Sequence, residues 1–129
     1  MTHSLRRIAC AAVAGATGAA MLATGTPASA DTVHYLWNSA KSARVDFHQT
    51  GDIFVLHDLA ADGHPTYFQW RYPNGDWHPK HWNYNGYAGA PETYNFDFDE
   101  NTHPYIFVKV CTEVNNWPDD CAESGAWHT

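Results

Sequence analysis

The sequence predicts an all-β fold: a small antiparallel β-sandwich or barrel of six to eight strands with one disulfide. Three observations carry that expectation. Apolar and polar residues alternate with a period of two in several short runs. Turn residues separate those runs at short intervals. After residue 30, no stretch places apolar residues at the i, i+3, i+4, i+7 spacing of an amphipathic helix.

Residues 1–30 read as a secretory signal peptide, removed on export. Arg6 and Arg7 precede an uncharged, Ala-rich run from Ile8 to Ala23, and Ala28-Ser29-Ala30 forms a cleavage site of small residues. The run is too short and too weakly apolar for a stable membrane span. The paired arginines leave both the general and the twin-arginine export routes open. Residues 31–129 then make one β domain, expected to be secreted and extracellular. Seven Lys and Arg fall to five on processing, against fourteen Asp and Glu, so the formal charge becomes −9. That charge argues against nucleic acid or an anionic membrane as partner. Of three cysteines, Cys111 and Cys121 remain. An even pair in an exported chain reads as a disulfide. Closing so short a loop stabilises by about 2.5–3 kcal/mol.

The elements follow in order. Residues 33–43, VHYLWNSAKSA, open either as a strand or as a short helical turn. In ARVDFHQ, residues Ala43, Val45 and Phe47 alternate with Arg44, Asp46 and His48. After Thr50-Gly51, DIFVLHD over 52–58 is a compact apolar run that suits a more buried strand. Ala61-Asp62-Gly63 closes it as a loop. TYFQWRY over 66–72 puts Phe68, Trp70 and Tyr72 on one face and Tyr67, Gln69 and Arg71 on the other. Asn74-Gly75 predicts a two-residue hairpin turn, because both central residues of such a turn need positive φ. That turn would place Trp77 on a returning strand. Asn85-Gly86 and Gly89-Ala90-Pro91 punctuate the next stretch. YIFVKV over 105–110 sets Ile106, Val108 and Val110 against Tyr105, Phe107 and Lys109.

Several of these segments together resemble a group of small secreted proteins from Streptomyces and related actinobacteria. The resemblance rests on the signal peptide, GDIFVLHDLAADGHPTYFQW, NYNGYAGAP, FVKVC and the second cysteine near the end. Pro65 stands where the group's pattern has Gly, and Tyr87 interrupts the second glycine cluster. The resemblance implies an exported, disulfide-containing β domain and brings no catalytic residues with it.

Four chemistries remain to be weighed. Nineteen aromatic residues, all beyond residue 30, supply both core and candidate surface. Trp77, Trp82, Tyr84 and Tyr87, with Asn83 and Asp76, have the parts of a saccharide site: flat rings for a sugar's apolar face and amides or carboxylates for its hydroxyls. His78 and His81 form an H-x-x-H pair that suits a transition metal. Pro79 breaks the helix that would align them, and in a strand an offset of three sends them to opposite faces. Asp97, Asp99 and Asn101 match the first half of a Ca²⁺ loop. Thr102 and Val108 then stand where that motif needs Gly and Glu, which reads instead as an acidic turn. For catalysis, no G-x-S-x-G occurs, and nothing marks two of Asp97, Asp99, Glu100 and Glu113 as a working pair. The expectation is a non-enzymatic binding module for an extracellular carbohydrate or protein, with no resident cofactor. The alternatives are an inhibitor or toxin-like effector docking through a rigid loop, with Trp117 at the tip of the disulfide loop, and a His-based metal-binding factor.

Overall fold

A computed structural model describes Gly25 and residues 30–129. The expected signal peptide lies outside the described residues. Nine strands form, β1 (Val33–Trp37), β2 (Ala43–His48), β3 (Ile53–Asp58), β4 (Thr66–Arg71), β5 (His81–Asn83), β6 (Glu92–Asn95), β7 (Tyr105–Thr112), β8 (Asp120–Glu123) and β9 (Trp127–His128). All pairing is antiparallel. One sheet has the order β1-β2-β3-β6 and the other β5-β4-β7-β8, with β9 also on β7. The two pack as a sandwich, and no helix occurs among the described residues.

The alternation read from sequence sets the inner faces. Ala43, Val45 and Phe47 of β2 and Phe54 and Leu56 of β3 face Phe68 and Trp70 of β4 and Ile106, Val108 and Val110 of β7. Phe54 links the layers, with ring centroids 4.6 Å from both Phe47 and Phe68. Phe96 and Phe98, beyond β6, meet Phe54 edge-on. Asp52 holds that segment: its carbonyl accepts from Phe96 N–H and its carboxylate from Phe98 N–H. The β2–β3 turn can do this because Gly51 and Asp52 both adopt positive φ, 86° and 53°.

The ninth strand continues the eighth past a bulge. Lys109 faces Glu123 and Ile106 faces Trp127, so three residues, Ser124 to Ala126, span what two residues span on β7. The bulge leaves Val108 N–H without a backbone partner, and Ser124 Oγ accepts it at 2.9 Å. Counted as one bulged strand, β8 and β9 bring the total to eight, the upper end of the six to eight expected.

The Asn74-Gly75 hairpin needs correcting. Neither residue has positive φ. Tyr72 C=O instead accepts from Gly75 N–H at 3.0 Å, with Pro73 at the second turn position. Proline fixes φ there and favours an ordinary turn with glycine fourth. The strand pairing resumes only at His81, so Trp77 lies in a long connection and not on a returning strand.

Candidate functional site

Connections 38–42, 59–65, 84–91 and 113–119 all emerge at one end of the sandwich, here called the disulfide end. Each is anchored by a polar group. Asn38 is fully buried at the end of β1; its amide donates to Ser42 Oγ, Thr112 Oγ1 and the Asp120 carboxylate, and its Oδ1 accepts from Ala43 N–H. This one side chain ties both sheets together. Leu59 N–H donates to Ser42 C=O, and Asp62 Oδ1 accepts from His64 N–H. In connection 84–91, a Cβ on Gly89 would collide with the Asn85 carbonyl oxygen, so only glycine fits.

The expected disulfide joins Cys111 and Cys121, which sit directly opposite one another on β7 and β8. Its loop is pinned again by Asp119. One Asp119 oxygen accepts from the Tyr67 hydroxyl at 2.6 Å, the other from Val114 N–H, and Lys80 Nζ lies 3.8 Å away. Burial and the Asp119 carboxylate push the Tyr67 phenol well above its usual range. The staple leaves Trp117, 75% exposed, standing at the tip as the sequence suggested.

The structure divides the predicted aromatic patch. Asp76 and Trp77 lie in connection 72–80, and the Trp77 ring covers Arg71 and Lys109 on the outer face of the second sheet. Trp82 points outward on β5 and stacks on Tyr84, with centroids 5.2 Å apart and planes 18° apart. Tyr67 and Lys80 pack beside Trp82, linking it to the Asp119 anchor. Asn83 points inward and is 1% exposed; its amide donates to Leu56 C=O and its Oδ1 accepts from Asn85 N–H. Its side chain is committed to the scaffold and does not face a ligand.

Tyr84 and Tyr87, 70% and 60% exposed, line a cavity of about 230 Å³ with Asp58 and His64. Connection 59–65 forms one wall and connection 84–91 the other. The segments ADGHP and NYNGY, far apart in sequence, thus meet. Asp58 was not singled out by sequence reasoning. Its signal was its place at the last position of a strand running into a turn-rich loop. Its Oδ1 accepts from Ala60 N–H at 3.1 Å. Burial raises its carboxyl above the usual range, and the neighbouring Asp62 charge adds to the shift.

The metal candidates do not converge. His78 stacks on Trp70, and His81 packs on Phe68, Tyr94 and Phe96. Burial lowers the His81 imidazole pKa, and the His78 charge lowers it further. Asp99 accepts from Asn101 and Thr102 N–H and from Thr102 Oγ1, so it caps its own turn. Among the described residues, no three His, Cys, Asp or Glu side chains form a metal-ready group.

Six large rings are exposed among the described residues, and four of them, Trp37, Tyr84, Tyr87 and Trp117, lie at the disulfide end. All five Lys and Arg beyond residue 30 lie over aromatic rings: Lys41 and Arg44 over Trp37, Arg71 and Lys109 over Trp77, and Lys80 over Tyr67, so none lies over Tyr84, Tyr87 or Trp117. Comparison with family models, with curated proteins and with solved structures finds no significant match to this chain.

Proposed function

We propose that this protein is a secreted, non-enzymatic binding module that recognises an extracellular carbohydrate or protein through its disulfide end. The observation that supports this most is the placement of Tyr84, Tyr87 and Trp117 on connections held by a disulfide and buried hydrogen bonds, with Trp37 at the end of β1 on the same end of the sandwich. Exposed apolar rings on a fixed frame are what a recognition surface needs, because little entropy is lost on binding.

The carbohydrate reading draws on the near-parallel Trp82 and Tyr84 rings and the adjoining cavity. Retention on chitin, cellulose or peptidoglycan, or a glycan-array signal, is the expected result. Tyr84→Ala with Tyr87→Ala should abolish it. A complete lack of retention on every glycan overturns this reading. The alternative of a protein-docking inhibitor or effector draws on Trp117, at the tip of a loop fixed by Cys111–Cys121 and Asp119. Aromatic anchors of that kind dominate protein interfaces. A pull-down from culture supernatant and cell wall that captures one protein with the native chain but not with Trp117→Ala would favour it.

A further inference from the structure

We infer that the cavity between connections 59–65 and 84–91 is a site for an organic ammonium group, taken as the free amine of an amino sugar and held between the Tyr84 and Tyr87 rings and the Asp58 carboxylate. The inference rests on the carbohydrate reading above and narrows its ligand.

Three independent features of the cavity point to a cation. The first is an uncompensated carboxylate. Asp58 takes part in no ion pair of the described residues, and only Ala60 N–H donates to it. A half-buried carboxylate without a counter-charge favours any cation that can reach it. The second is the pair of exposed rings. Tyrosine faces attract ammonium groups, as aromatic cages do, and also cover the apolar face of a sugar ring. The third is where the chain's own cations are. All five Lys and Arg beyond residue 30 lie over rings outside this cavity, so none of them competes for Asp58. The net charge of −9 beyond residue 30 adds a long-range pull on a cationic ligand.

Size selects between sources of the ammonium. A cavity of about 230 Å³ corresponds to roughly eight water molecules at liquid density. That is room for a sugar ring, more than the narrow tip of a lysine side chain fills. A neutral sugar fits the volume and finds donors in the Tyr84 and Tyr87 hydroxyls and His64, but it brings no charge to match the Asp58 carboxylate.

Groups facing Asp58 set the pH behaviour. Asp62 reinforces the negative potential, and His64, Tyr84 and Tyr87 line the cavity. Acidification protonates Asp58, which removes the charge that would hold a bound cation. Affinity should therefore fall as the pH drops from 7 into the carboxylate range.

The test is a calorimetric or NMR titration of the purified protein with glucosamine, N-acetylglucosamine, tetramethylammonium and Nα-acetyl-lysine. Glucosamine should bind at least tenfold more tightly than N-acetylglucosamine, and more tightly than Nα-acetyl-lysine. Tetramethylammonium should compete with it. Asp58→Asn keeps an acceptor for Ala60 N–H and should weaken glucosamine at least tenfold with an unchanged melting temperature. Tyr84→Ala and Tyr87→Ala should each weaken it too. Equal binding of the amine and the acetylated sugar, no binding of any cation, or an undiminished Asp58→Asn variant overturns the inference. Preferred binding of Nα-acetyl-lysine also overturns it, in favour of a peptide amine. Glycans retained through Tyr84 and Tyr87 that free glucosamine does not displace would sink this inference while leaving the binding-module reading in place. A free amine that binds while no polymer is retained would do the reverse.

Discussion

The two ends of the sandwich use the same residue types for opposite purposes. At the end away from the disulfide, rings close on one another: Phe98 meets Trp70 edge-on at 4.7 Å, and Tyr72 stacks on His103 at 3.9 Å. A cavity of about 420 Å³ lies there between 72–75 and 102–105, and no carboxylate or lysine lines it. At the disulfide end, the connections are held by a covalent bond and by Asn38, Asn83, Asp119 and Gly89. Polar anchoring there frees the rings from packing duty, so Tyr84, Tyr87 and Trp117 stand in solvent. Aromatic density therefore marks core at one end and candidate surface at the other. What separates the cases is whether hydrogen bonds or rings carry the connections.

The sharpest way to break that contrast is to truncate one ring from each end. Phe98→Ala removes a buried ring packed on Phe54 and Trp70 and should cost about 3–5 kcal/mol, read from the urea midpoint. Tyr84→Ala and Trp117→Ala should stay within about 0.5 kcal/mol of the parent while losing ligand. A large loss of stability from Trp117→Ala would mean that the disulfide end is packed, not presented.

Removing the staple comes next. Cys111→Ser with Cys121→Ser should cost about 2–4 kcal/mol. Faster amide exchange confined to 113–119 is expected in the surviving folded state. Exchange spread evenly over both ends would show that the disulfide does not act locally. Asn38→Ala should cost about 2–3 kcal/mol, because it strands the buried Ala43 N–H and leaves the Ser42 and Thr112 hydroxyls only each other as partners. A cost under 0.5 kcal/mol would remove Asn38 as the tie between the sheets.

The smallest effect is a pH slope at the other end. His81 and His34 both have imidazole pKa values lowered by burial, aided by the His78 and His128 charges. Between their folded values and the ordinary value of 6.5, the unfolded chain binds more protons than the folded one. Stability from these two groups is thus fully present above pH 6.5 and declines as the pH falls through that window. His81→Phe suits the ring pocket formed by Phe68, Tyr94 and Phe96 and should flatten the decline. An unaltered slope of melting temperature against pH would place the acid sensitivity elsewhere.

Much of the fold was legible in the sequence. Period-two alternation in ARVDFH, TYFQWR and YIFVKV assigned the inward residues of β2, β4 and β7, because side chains in a strand can point only to one face or the other. The positive-φ glycines Gly51, Gly63 and Gly86 fell at the expected turns. Asn74-Gly75 misled because the pair was read without Pro73, which dictates a different turn. The site was less legible. Asn83 has the chemistry of a sugar ligand, and only its inward position on β5 reveals a structural role. Asp58 is not legible as a site residue in the sequence, because its partners there, Tyr84 and Tyr87, join it only in space.

The sequence by itself determined the β class, the single Cys111–Cys121 pairing and the inward faces, since periodicity, cysteine parity and turn chemistry are local properties of the chain. Tertiary structure decided which rings are buried, which polar side chains are committed to hydrogen bonds, and that residues 59–65 meet residues 84–91. Exposure and convergence depend on which connections share an end of the sandwich. That follows from the order of strands in two sheets, which no local pattern encodes.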